Sequence, residues 1–450
     1  LSRKSRPGEA LPKRGKRAAW GNLSPPVANG PGGRCQAATP GLPSVAMCSE
    51  YPCARHDLEF IPFEHEGRPM ILVRDRLEIV PWGIGVPSGL LPVLALMDGR
   101  HSLEELAGEV TAMQGGREVT ADDVRGILRD LDTAGLLDSE RYREKKLAVA
   151  EAFAADTERK AVFAGQAYPD APEALAAYLD SVLDGAGPAA PPAADITAVI
   201  APHIDPEAGR TGYAAAYGPL RGAKPRRVVV LGVGHQILNG LYCLTDKAFL
   251  TPLGAVPSDA PAVARLREAG PGIVDPSDLP HKAEHSVEFQ AVFLRHVLGD
   301  APFGLVPILC GSPIAVLPEY SRQAFRNAAG PFLDALAALV REPGTLVVAG
   351  VDFCHIGGKF GHSDPADSLE ELSMAHDRAL LDALAGGDPD AFWAEAARVE
   401  DAYNVCGLTA LATLAEVLPP AAMTLLCHDI MRERDTRSAV TFAAAAFVAK

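Results

Sequence analysis

Nowhere in these 450 residues does an apolar run approach the roughly 20 residues of a membrane span. The longest candidate, Ala-rich TFAAAAFVAK at 441–450, suits a buried strand or short helix, so no membrane partner is expected. C-x-x-C pairs and paired zinc-finger spacings are missing as well. Eight cysteines lie scattered along the chain, which argues against a disulfide framework and for reduced thiols in the cytoplasm. The basic start lacks the continuous apolar core and cleavage site of a secretory signal. There is no G-x-x-x-x-G-K-[ST], no H-E-x-x-H and no G-x-S-x-G, so P-loop, zincin and hydrolase-elbow chemistry lose their usual markers. GVGHQ contains a G-x-G, but no third glycine follows at the right spacing, and a dinucleotide cofactor is not indicated.

Positive charge is outnumbered beyond the start. The formal net charge is −15, yet residues 1–46 carry eight Lys and Arg against Glu9 alone. The remainder is more acidic than the total, which disfavours nucleic acid as a partner. Residues 1–46 are rich in Gly, Pro and basic residues with little periodicity, and read as a disordered basic tail. Met47 is then the expected true start. The length predicts two or three domains, and with 48% apolar residues there is material for sizeable cores.

Residues 55–145 read as a small α+β unit with winged-helix-like order. Extended LEFIPF and PMILVRD precede three helical patterns, PSGLLPVLALMDG, SLEELAGEVTAM and TADDVRGILRDLDTAGLL. Ser102 with Glu105 and Thr120 with Asp123 make capping boxes. Val124, Ile127, Leu128, Leu131 and Leu136 recur at helical spacing. Asp122, Asp123, Asp130 and Asp132 outnumber Arg125 and Arg129 on the third helix, which argues against a DNA reader. A helical bridge, the helix PDAPEALAAYLDSVL and the Pro/Ala/Gly-rich loop 184–195 follow. From residue 196, buried strands (ITAVIAP, RRVVVLGVG, FGLVPILCG, TLVVAGVD, SAVTFAAAAFVA) alternate with helical stretches, the pattern of an α/β domain.

Four of these strands finish on reactive groups: His203 with Asp205, His235, Cys310, and the run Asp352, Cys354 and His355. In open α/β sheets, ligands bind outside the carboxyl ends of parallel strands. One histidine there is ordinarily a loop residue; three arriving from three strands point to a site. Convergent imidazoles suit a transition metal; alternatively His355, oriented by Asp352, does acid–base work. Asn404 is the expected N-cap of the next helix, which would put Cys406 in its first turn and favour the thiolate. Glu284, His285 and Glu288 crowd the start of an amphipathic helix, and His285 reads as substrate-facing.

Taken together and in this order, RKAVFAGQAYP, IAPHID, GRTGYAAAY, VVLGVGHQ, AEHSVEFQAVFL, GVDFCHIGGKFG, NVCGLTAL and SAVTFAAAAF resemble the Memo family, known in prokaryotes as AmmeMemoRadiSam system protein B. The resemblance covers residues 158–450. It implies a class III extradiol dioxygenase-like (LigB-type) fold, a mixed sheet flanked by helices. It also implies metal ligation by His203, His235 and Cys406, with His355 as an acid–base group and Glu284, His285 and Ser286 on the pocket wall. The chain departs from the family's usual aromatic, Gly-rich turn with HIDPEAGRTGY, which leaves the substrate-facing loop open and brings Asp205 into range of the metal. DGRHSLEELAGEV and VTADDVRGILRDLDTAGLLD resemble PqqD-like domains, which implies a peptide or protein partner for residues 55–145.

The leading expectation is a metal-dependent, redox-type enzyme on a small or peptide-borne substrate. His203, His235 and Cys406 hold the metal in that reading, and His355, Asp352 and His285 handle the substrate. A soft thiolate with two imidazoles suits Fe(II) or Cu, with Zn as a third option. Two alternatives stand beside it: a metal-free enzyme with Cys406 as nucleophile, and a non-catalytic binding protein.

Overall fold

The computed structural model describes residues 50–450, apart from 81–83, 114, 116, 117, 186–190 and 238. The expected basic tail and Met47 lie outside the described residues. LEFIPFEH and RPMILVRD form strands β1 (Leu58–His65) and β2 (Arg68–Asp75), paired antiparallel with Phe60 opposite Val73. Short β3 (Gly85–Pro87) joins β2. Helices α1 (Leu91–Leu96), α2 (Leu103–Met113) and α3 (Ala121–Thr133) pack on them, with Ile71, Val73, Leu106, Val124 and Leu128 in one buried cluster. Both capping boxes form: Ser102 and Glu105 exchange bonds, as do Thr120 and Asp123. A good N-cap of this kind stabilises a helix by about 1 kcal/mol. Arg55 is buried and ties this unit together, donating to Asp57, Asp75 and Gly135 O.

Helix α4 (Glu140–Ala155), capped by Ser139, and strand β4 (Glu158–Arg159) lead to α5 (Pro172–Leu183). The first half of the α/β region then runs β5 (Ile196–Ala201), α6 (Arg210–Tyr217), β6 (Arg227–Val233), β7 (Tyr242–Leu244), β8 (Ala248–Thr251), β9 (Gly254–Val256), α7 (Ala260–Ala269) and α8 (His285–Leu298). The second half runs β10 (Gly304–Cys310), α9 (Arg322–Val340), β11 (Thr345–Gly350), β12 (His355–Ile356), α10 (Ala366–Gly386), α11 (Pro389–Val399), α12 (Leu408–Val417), β13 (Ala421–Glu433) and β14 (Ser438–Ala449).

An eight-stranded mixed sheet has the order β12-β14-β5-β11-β6-β10-β7, with β13 paired to β14. Its centre, β5, β11, β6 and β10, is parallel. These strands are continuous apolar runs because both faces are covered: Val229 and Leu231 enter one buried cluster, Val228 and Val230 the other. Strands β7 and β14 close the parallel core antiparallel. The sheet is therefore mixed α/β with helices on both faces.

Two elements differ from the sequence reading. Helix α9 begins at Arg322, capped by Ser321, and carries Pro331 inside it, whereas the apolar pattern PFLDALAALVRE by itself predicts a helix only from that proline onward. Strand β13 was not legible as a strand. It lies at the outside of the hairpin with β14 and is only partly buried, so its residues mix Leu425 and Ile430 with Asp429 and Arg432.

The register of the central strands positions the site. Ala201 on β5 pairs with Gly350 on β11, and Gly350 pairs with Gly232 on β6. The strand ends are thus level, and the residues that follow emerge side by side. Two of these are glycines because α8 packs directly on them. A Cβ at Gly350 would lie 2.8 Å from the Gln290 side chain, and one at Gly232 would lie 2.7 Å from Ser286 Oγ. Replacing either would push α8 away from the strand ends.

His281, just before α8, is buried, and its Nε2 lies 3.1 Å from Cys243 O. Burial pushes its imidazole down to about 4. An unfolded histidine titrates near ~6.5, so between these values the unfolded chain binds the extra proton and stability rises with pH. The protein is expected to lose stability as pH falls from about 6.5 towards 4. In His281→Gln, which keeps a donor towards Cys243 O, that acid-side loss should shrink by up to about 3 kcal/mol. Urea unfolding at pH 7.5 and 4.5 measures it; equal losses in both proteins would refute the assignment.

Candidate metal centre

His203 follows β5, His235 follows β6, and His285 opens α8. Each offers a ring nitrogen, and the three nitrogens lie within 4.8 Å of one another. The ring centroids are 5.4, 5.3 and 5.1 Å apart for the pairs His203–His235, His203–His285 and His235–His285. His203 is buried, His235 is open to the pocket, and His285 lies between these extremes. The close-set group therefore takes in His285, which the sequence reading placed on the wall.

Glu284 holds this group together. Its carboxylate accepts the Ser286 N–H at 3.0 Å, capping α8, and the His235 N–H at 3.2 Å. His235 Nδ1 is 2.9 Å from Oε2, and His285 Nδ1 is 3.1 Å from Oε1 but out of hydrogen-bonding alignment. Burial works against the Glu284 charge, but His235 and His285 beside it hold its carboxyl well below the usual carboxylate range. With Nδ1 turned to Glu284, His235 presents Nε2 to the pocket. That carboxylate–histidine pairing is the common support of a metal-binding imidazole.

His203 is arranged differently. Its Nδ1 accepts the Asp352 N–H at 3.0 Å, which leaves the proton of the neutral ring on Nε2. For Nε2 to hold a metal that proton would first have to leave, because Nδ1 is already occupied by the Asp352 N–H and Asp352 Oδ2 is 3.9 Å from it. Burial, followed by repulsion from His285 and His235, pushes His203 well below the usual imidazole range. Asp352 accepts the His203 N–H at 3.0 Å, and burial pushes its carboxyl up to about 7. It braces the His203 turn and does not orient His355, contrary to the sequence reading. His355 Nδ1 instead donates to Phe353 O at 3.0 Å, since the sharp turn into β12 brings that carbonyl closest. Burial pushes His355 down to about 4, so it is neutral near pH 7 with Nε2 unprotonated.

Cys406 lies beside this group, with Sγ 3.8 Å from His203 Nε2 and 3.6 Å from Asp352 O. It precedes α12 instead of standing in its first turn. Gly407 is the N-cap, while Asn404 adopts a positive φ of 49° and spends its side chain on His355 O and Phe360 O. Burial and the Asp352 carboxylate push the Cys406 thiol well above its usual range. A Cβ on Gly407 would come 2.7 Å from Asp352 O, so glycine is what allows Cys406 to approach that turn. Cys354 is turned into the core, 3.0 Å from Asp377 Oδ1, and Cys310 is also a core residue. Asp205 lines the pocket and accepts the Glu207 N–H, outside the three-histidine group.

The pocket over these residues encloses about 770 Å³, part of it open to solvent. Phe163, Phe289 and Phe360 are its aromatic sides. Phe163 is held there by Glu288, which accepts the Val162 and Phe163 N–H groups and pairs with buried Arg159 and Tyr168. Glu59 and Arg76 of the N-terminal unit complete the lining, and nothing in the sequence pattern signalled them. The capping role of Glu284 could be read from its place before the helix, but its hold on His235 could not, since the two are 49 residues apart.

Residues 159–446 match the family model described as Memo-like protein. A MEMO1 family protein of Aquifex aeolicus is 26% identical over 66% of this chain and 75% of its own length. One from Thermus thermophilus is 28% identical over 76% of this chain and 98% of its own length, so that alignment takes in part of the N-terminal unit. The memo-1 homolog of Caenorhabditis elegans is 31% identical over 46% of this chain and 55% of its own length. With the family model matched across most of its length, the chain belongs to the Memo-like protein family.

Proposed function

We propose that the chain is a metal-dependent, redox-type enzyme of dioxygenase-like architecture, acting on a small or peptide-borne substrate. The observation that carries this reading is the convergence of His203, His235 and His285 at level strand ends, with the Cys406 thiol beside His203. Neutral imidazole is a common ligand for transition metals, and a thiolate adds softness, so iron or copper suits the set best, with zinc as the third choice. The orientation of His235 by Glu284 supports the fit. A transition-metal ion at these donors supplies Lewis acidity and, for iron or copper, one-electron chemistry.

The remaining roles belong to the chain's own side chains. His355, held neutral with its Nδ1–H on Phe353 O, accepts a proton or hydrogen bond from the substrate. Phe163 and Phe289 exclude water from one side of the pocket. The metal-free thiol reading is less well supported. Cys406 is pushed up and its nearest imidazole, His203, is pushed down, the reverse of what a thiolate–imidazolium pair requires.

Two measurements test the reading. Protein purified anaerobically is expected to carry close to stoichiometric Fe, Cu or Zn, and His203→Ala and His235→Ala to lose it. Absence of stoichiometric metal, with no effect of His203→Ala, would sink the proposal. Glu284→Gln removes the charge that orients His235 and should weaken metal binding by about 10–100-fold in chelator competition. Unchanged affinity would show that Glu284 serves the helix cap alone.

A further inference from the structure

The N-terminal hairpin reaches the metal pocket. Glu59 on β1 and Arg76, one residue past β2, line the same space as the three histidines. Arg76 pairs through Nε with Glu59 and donates from Nη1 to Ala283 O at 3.1 Å, directly before Glu284. Its guanidinium carbon lies 5.7 Å from the centre of the Phe163 ring, and His285 lies 5.7 Å from that same ring. One phenyl group therefore links the cation to the imidazole cluster. Arg74 Nη1 is 3.5 Å from Glu59 Oε2, so two guanidiniums share one carboxylate and this wall carries a net positive charge. The three side chains are only 13–17% exposed, and charge held partly out of water interacts strongly with what enters the pocket. Asp205, which also lines the pocket, belongs to the loop after β5 and not to the hairpin.

We propose that Arg76 is the specificity-determining residue of this pocket and receives a carboxylate of the substrate, whose other end faces the histidines. The substrate class is then an organic acid. A planar guanidinium over an aromatic ring matches a planar carboxylate, with charge-assisted hydrogen bonds. The N-terminal unit is in consequence part of the site. This inference rests on the metal-binding reading above.

The test compares two metal-chelating probes that differ by one carboxylate, catechol and 3,4-dihydroxybenzoate, on the metal-loaded full chain. The readout is the ratio of their dissociation constants. In Arg76→Met the preference for the carboxylated probe should fall by about tenfold, with Arg76→Lys in between and metal content unchanged. Glu59→Gln, which makes the wall more positive, should raise it. A purely structural role for Arg76 moves both probes alike, so an unchanged ratio in Arg76→Met overturns the proposal while leaving the metal reading intact. If the chain takes up no metal, the metal reading falls and this inference with it; if metal loads and the wild-type chain shows no preference for the carboxylated probe, this inference falls alone.

Discussion

Glu284 is a buried carboxylate, and a buried charge has to be matched where it sits. It is matched by the first turn of α8, by the backbone and ring of His235, and by the proximity of His285. The same group thus ends a loop, starts a helix and faces two of three convergent imidazoles. Its position depends in turn on α8 lying against Gly232 and Gly350, where any side chain would displace the helix. Two glycines and one acid determine whether the strand ends and the helix start meet.

The electrostatics of the pocket divide by element. On the β6–α8 side, Glu284 is held ionised and turns His235 so that Nε2 faces the pocket. On the β5–β11 side, Asp352 is pushed up to about 7 and His203 is pushed down, both chiefly by burial. Charge is costly on that side, and the His203 turn is held by backbone bonds to Asp352 in both directions. Three imidazoles with a thiol beside them are nonetheless donors of the kind a metal ion takes.

The aromatic and charged walls come from further away in the chain. The segment 159–168 is pinned through Glu288, so that Phe163 faces His285. The hairpin of the N-terminal unit contributes Glu59 and Arg76, and Arg76 bonds to the loop that leads into Glu284. The pocket is assembled from both parts of the chain.

Local pattern determined much of this protein. The apolar runs that became β5, β6, β10, β11 and β14 are continuous because a doubly covered sheet demands it, and both capping boxes were written in residues three apart. The histidines stood out because polar groups after buried strands have no packing reason to be there. The tertiary structure decided what spacing cannot encode. It brought His285 into the group through the register of Ala201, Gly350 and Gly232, and it turned Asp352 towards His203 and away from His355. It moved Cys406 out of the first turn of α12 by giving the cap to Gly407. It also set Arg76 against Phe163, a contact between distant residues that no local periodicity records. Sequence alone carries strand, helix and cap because those are short-range; the pocket depends on which strand ends are level and on what packs against them.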